Sequence, residues 1–135
     1  NWMSQTRLVR RADLERKYLL ESYDSGIWDD WPKTAQRSQA GRFAQEWAAF
    51  NGSRFCVLLT NGTHTLQLAL EALGIGPGDE VIVPGLTWQA TASVVIDVNA
   101  VPVLVDVEPD TLCLDPAKME AAITARTRAV VPVHL

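Results

Sequence analysis

The run TNGTHTLQLAL at residues 60–70 sets Asn61, Gly62 and Thr63 at the start of a helical pattern, directly after the apolar stretch FCVLL at 55–59. The first backbone N–H groups of a helix have no partner within it, and the positive end of its dipole lies there, so the arrangement suits a bound anion. Gly62 has no Cβ to hold a ligand away from the backbone. Thr63 can offer both its hydroxyl and its N–H. The same two residues could instead do no more than turn the chain and cap the helix, and spacing alone leaves both readings open.

A second candidate follows the apolar run VIVP. Leu86-Thr87-Trp88 falls at the carboxyl edge of that strand, where open α/β sheets bind ligands. The face of Trp88 can lie against a flat ring, or the side chain can pack into the core. An anion-type turn and an aromatic residue at one sheet edge favour the binding reading. Asp106 ends the next apolar run at the same edge and could either bond a ligand or terminate the strand. His64 and His134 are isolated and read as structural. GIGPGD precedes a strand instead of following one, so it reads as a turn and not as a dinucleotide fingerprint. Neither a Ser/His/Asp arrangement nor a metal-binding cluster can be assembled, and no catalytic residue can be named.

These positions need elements to hold them. ADLERKYLLESYDSG has helical spacing and stops at Gly26; IWDDWPKTAQ reads as an aromatic loop. A helix is expected from about Ser38 to Phe50, with Phe43, Trp47 and Phe50 on one face and Asn51-Gly52 at its end. FCVLL reads as a strand. The helix at Thr63–Leu73 aligns Leu66, Leu70 and Leu73, and Gly74 follows it. VIVP is a buried strand, 88–98 a helix, and VPVLVDV a strand closed by a turn at Glu108-Pro109-Asp110. Asp115-Pro116 supplies an N-cap and a first-turn proline for a helix with Met119 and Ile123 on its apolar side. AVVPVHL is a last strand. Strands apolar throughout and alternating with helices predict a mainly parallel sheet with helices on both faces. The organisation expected is an N-terminal helix and aromatic loop over 1–37, then the sheet-forming part over 38–135. The chain begins abruptly at Asn1 and stops on a strand at Leu135, which reads as part of a larger protein.

With 135 residues, 47% hydrophobic and 21% charged, the chain has an ordinary globular composition. A net charge of -4 with no basic face argues against nucleic acid as a partner. No apolar run reaches the length of a membrane span, because Asp97, Asn99 and Asp106 interrupt the longest. Cys56 and Cys113 fit neither a metal pattern nor a disulfide scaffold and are expected as buried free thiols, as in the cytoplasm. The sequons at Asn51 and Asn61 read as accidental without a secretory signal.

TNGTHTLQLALEALGIGPGDEVIVPGLTWQATASVV, followed by VPVLVDVEPDTLCLDPAKMEAAITARTRAVVPVHL, closely resembles the N-terminal part of the DegT/DnrJ/EryC1 aminotransferases. The resemblance covers roughly residues 38–135 as ordered motifs at matching spacing. It implies the first part of a fold-type I large domain that binds pyridoxal 5'-phosphate, with Gly62 and Thr63 on the phosphate and Trp88 stacked on the pyridine ring. It also implies transamination of a keto-sugar or keto-cyclitol from glutamine or glutamate, in a homodimer. Trp28 and Trp31 fall where family members shape the substrate site. The family's Schiff-base lysine comes later than residue 135; Lys17, Lys33 and Lys118 lie outside any matching motif. A dehydratase of the same fold, with histidine in place of that lysine, and a non-catalytic phosphate-binding α/β module are the alternatives. Trp88 with VNAVPVLVDVEPDT leans towards the cyclitol members.

Overall fold

The computed structural model describes residues 11–28 and 37–135, which divide into two compact units between Leu58 and Leu59. Trp2, Trp31, Lys33 and most of the aromatic loop lie outside the described residues.

The first unit contains α1 (Ala12–Ser25) and α2 (Gln39–Phe50). Gly26 closes α1 by donating its N–H to the carbonyls of Ser22 and Tyr23. Ser38 starts α2: it is 2% exposed and its Oγ accepts the Gly41 N–H at 2.9 Å, a bond that supplies one of the partners a helix start lacks. Glu21 ties the two helices together by accepting from Gln39 Nε2 at 2.7 Å and from Arg42 at 3.4 Å. Phe43, Trp47 and Phe50 share one face of α2 and stack in series, with ring centroids 5.7 and 5.8 Å apart, on its exposed side. Trp28 is also exposed.

The second unit runs α3 (Gly62–Ala72), β1 (Glu80–Pro84), α4 (Ala90–Asp97), β2 (Val101–Val105), α5 (Pro116–Ala121) and β3 (Thr127–Val130). The strands form a parallel sheet in the order β2-β1-β3. All five residues of β1 are buried, and β2 and β3 pair with its two edges. Leu70 of α3 and Val94 and Val95 of α4 pack with Val81 and Val83 into one apolar cluster, and Leu66 lies against it. Gly74 stops α3 at φ 71°, a left-handed conformation that glycine adopts without strain; the N–H groups of Gly74 and Ile75 then take the Glu71 and Leu70 carbonyls. Asn99 ends α4 in the same way at φ 60°. Asp115 caps α5 by accepting the N–H groups of Ala117 and Lys118, with Pro116 at the first helical position.

Several sequence expectations need correction. FCVLL forms no strand: residues 55–59 carry no ladder, and Phe55, Val57 and Leu59 are exposed. An apolar run becomes a strand only where a neighbour takes its N–H and C=O groups, and no described strand pairs with residues 55–59. The last strand is shorter than AVVPVHL; Val131 still donates to the Ile82 carbonyl, but Pro132 has no N–H to continue. Leu73 and Ile123 point to solvent. Cys56 and Cys113 are free thiols but only half-buried.

Glu80 begins β1 with a side chain 6% exposed. It accepts from Thr124 Oγ1 at 2.5 Å and from the Arg126 guanidinium, and so fastens the turn before β3 to the central strand. These contacts, Thr124 foremost, hold its carboxyl below the usual carboxylate range. A carboxyl depressed in the folded state stabilises fully above its unfolded pKa, and that contribution is lost as pH falls through the folded value. Urea denaturation of the full-length protein across acidic pH should therefore show the parent losing its advantage over Glu80→Gln, with the two curves converging below the folded pKa of Glu80. Parallel curves would show that this carboxylate adds nothing.

Candidate functional site

The start of α3 is fastened from upstream. Asn61 is extended, and its Oδ1 accepts the His64 N–H at 3.0 Å. Its carbonyl accepts both the N–H and the hydroxyl of Thr65, at 3.2 and 3.1 Å. Thr60 Oγ1 and His64 Nδ1 share a hydrogen bond of 2.7 Å, so His64 is a local fastener of the turn. The N–H groups at the third and fourth helical positions are thereby engaged. Those of Gly62 and Thr63, and the Thr63 hydroxyl, bond to no described residue. Asn61 is the cap; Thr63 is not.

Among the described residues, nothing requires glycine at 62. Gly62 is absent from the positive-φ positions, and a Cβ built on it would meet no atom within 4 Å. What a side chain there would fill is open space in front of the free donors.

The other half of the site comes from the chain leaving β1. Gly85 donates to the Val105 carbonyl at 2.7 Å, one residue beyond the strand, and the chain then turns through Leu86-Thr87-Trp88 into α4. Trp88 is 81% exposed and joins no core of the described residues. Gly62, Thr63 and Trp88 line one open concavity of about 520 Å³, together with Thr65, Leu66 and Thr91. Thr91 itself is buried, and its hydroxyl shares a 2.9 Å hydrogen bond with that of Thr87. Chemically the concavity combines hydrogen-bond donors at a helix N-terminus with an unpacked indole face, a pairing for a molecule with an anionic end and a flat ring.

Asp106 lies elsewhere. Its carboxylate pairs with Lys118 Nζ at 2.8 Å and accepts the Val107 N–H at 2.9 Å. The Lys118 ammonium is the first cause holding Asp106 below the usual carboxylate range, and Asp106 in turn raises Lys118. Both charges serve the join between β2 and α5. Lys17 stands 3.8 Å from Glu21 on α1, His134 is exposed, and no group of metal-ligating side chains occurs among the described residues. Sequence reasoning passed over Asn61 and Thr91. The signals were present: an asparagine directly before a helix, and two threonines four apart across its start.

The described helices include none long and apolar enough to cross a membrane. The model of the DegT/DnrJ/EryC1/StrS aminotransferase family matches residues 11–135. The L-glutamine:2-deoxy-scyllo-inosose aminotransferase of Streptomyces paromomycinus is 59% identical over 112 residues, which are 82% of this chain and 26% of that protein. The crystal structure of 3-amino-5-hydroxybenzoic acid synthase superposes with a TM-score of 0.85 at 38% identity, over 94% of this chain and 32% of the other. NtdA of Bacillus subtilis, solved with bound cofactor PMP, gives a TM-score of 0.81 at 34% identity over 96% of this chain and 29% of the other. The chain thus spans between a quarter and a third of the length of these relatives.

Because neither backbone conformation nor packing demands glycine at 62, Gly62→Ala should leave the fold intact. Stability is expected to be unchanged or to rise by about 0.4–1 kcal/mol, through the lower entropy of the unfolded chain. Urea denaturation of the full-length variant checks this; a marked loss would show that the fold itself needs the glycine.

Proposed function

This chain belongs to the DegT/DnrJ/EryC1/StrS aminotransferase family, and from that premise we propose that it supplies the phosphate and ring contacts for pyridoxal 5'-phosphate in a protein that transaminates a keto-cyclitol. The observation that carries the reading is the concavity itself, where free donors of Gly62 and Thr63 share one wall system with an exposed Trp88. The residues fit the group. Two N–H donors and a hydroxyl at the positive end of an eleven-residue helix suit a phosphate, and the bare indole suits a pyridine ring. The open space at Gly62 lets phosphate oxygens reach the backbone. When bound, pyridoxal phosphate supplies an electron sink for reactions at the carbon bearing the amino group. The part of this chain is to hold and orient: Asn61 keeps the α3 donors aimed outward, Thr63 adds its hydroxyl, and Trp88 fixes the ring plane.

The name of the Streptomyces paromomycinus relative supports a keto-cyclitol substrate and glutamine as amino donor. The PMP in the Bacillus subtilis structure supports the cofactor. Neither Lys17 nor Lys118 lines the concavity, and both stand beside carboxylates, so neither is assigned proton transfer. The same reading makes the intact protein a cytoplasmic homodimer. Free thiols at Cys56 and Cys113 suit that compartment, and the exposed stack of Phe43, Trp47 and Phe50 suits burial in an assembly. Sedimentation of the intact protein should give a dimer; a fully active monomer would contradict it.

Cofactor titration of full-length variants, followed by absorbance, tests the site. Thr63→Val keeps side-chain volume but removes a hydrogen bond to a charged group, a loss of about 1.5–3 kcal/mol. Affinity for pyridoxal phosphate should fall roughly ten- to a hundred-fold. Trp88→Ala should weaken binding through lost stacking. Pyridoxal, which has no phosphate, separates the two: its binding should ignore Thr63→Val yet still respond to Trp88→Ala. If both variants bind pyridoxal phosphate as the parent does, these residues do not form the cofactor site.

A further inference from the structure

The exposed indole of Trp88 has no ring or cation partner among the described residues. The backbone that carries it is what the structure shows fastening it. That backbone lies in a turn without the usual fastening: Gln89 precedes α4 with helical dihedrals and makes no side-chain cap. Two other bonds close the turn instead. The Thr91 N–H donates to the Trp88 carbonyl at 3.0 Å, and the hydroxyls of Thr87 and Thr91 meet at 2.9 Å across it. Thr91 is 5% exposed and sits one turn ahead of Val94 and Val95, both completely buried in the core cluster. β-branching leaves each threonine few rotamers, so the hydroxyl pair ties the segment carrying Trp88 to a helix anchored in the buried core.

We propose that the Thr87–Thr91 hydroxyl pair is a positioning latch that holds Trp88 across the concavity from Gly62 and Thr63, and so sets how well a flat ring is bound there. This rests on the reading of the concavity as the cofactor site. The pair acts through Trp88 and touches no reacting atom.

The test is a double-mutant cycle on the full-length protein, read by titration with pyridoxal and with pyridoxal phosphate. Thr91→Val keeps the shape and removes the hydroxyl; affinity for both ligands should fall about three- to tenfold, the size of one neutral hydrogen bond. Thr91→Ser should restore parental binding. In a Trp88→Ala background, Thr91→Val should have no further effect, because the residue it orients is gone. Thr87→Val breaks the latch from its half-buried end and should match Thr91→Val, which guards against a folding defect at the buried site; near-ultraviolet circular dichroism checks the fold of each. Parental binding by Thr91→Val, or an equal loss with and without Trp88, overturns the latch. If Trp88→Ala itself binds pyridoxal normally, the cofactor-site reading falls and the latch with it. If Trp88→Ala weakens binding while Thr91→Val does not, only the latch falls.

Discussion

Strand β1 is buried at every residue, and that condition dictates the rest of the second unit. Each of its N–H and C=O groups needs a partner, and both neighbours, β2 and β3, run parallel to it. Parallel neighbours cannot be joined by a tight turn; the chain must cross back through other structure. Segments 85–100 and 106–126 are those crossovers, carrying α4 and α5. Every strand is therefore left at the same edge, and the turn bearing Trp88 has to appear there, directly after Pro84. The exposed tryptophan and the buried strand are consequences of one constraint.

At the mouth of α3 the decisive choice is which residue caps the helix. Asn61 reaches forward to the His64 N–H and its carbonyl takes Thr65, so the bonds that stabilise the helix start pass over Gly62 and Thr63. A cap placed at Thr63 would have turned its oxygen back on the backbone. With the cap two residues upstream, the helix start is fastened by its own chain and still presents donors to a ligand.

What was legible in the sequence is what local chemistry decides. Ser38, Gly74 and Asp115-Pro116 marked helix ends because caps, left-handed turns and first-turn prolines act within four residues. VIVP and FCVLL look alike locally, yet only the first is a strand, since pairing depends on segments far along the chain. Asp106 was ambiguous for the same reason: its partner Lys118 is twelve residues away. Trp88 after β1 followed from the sheet-edge rule, whereas the Asn61 cap and the Thr87–Thr91 bond were passed over although an asparagine before a helix and two threonines four apart signalled them.

Among the described residues, the lining of the concavity contains no ionisable side chain. Two of the described cations are engaged with carboxylates, Lys118 with Asp106 and Arg126 with Glu80. An anion here meets backbone dipoles and a hydroxyl, whose pull fades within the first helical turn. The net charge of -4 over these 135 residues adds no long-range attraction of its own. Within this part of the site, discrimination then arises at contact. A simple anion would gain the donors but leave the indole bare, and a neutral ring would gain the indole but leave Gly62 and Thr63 facing water. Only a ligand carrying both, at a fixed separation, uses the whole surface, and this makes the orientation of Trp88 as consequential as the presence of Thr63.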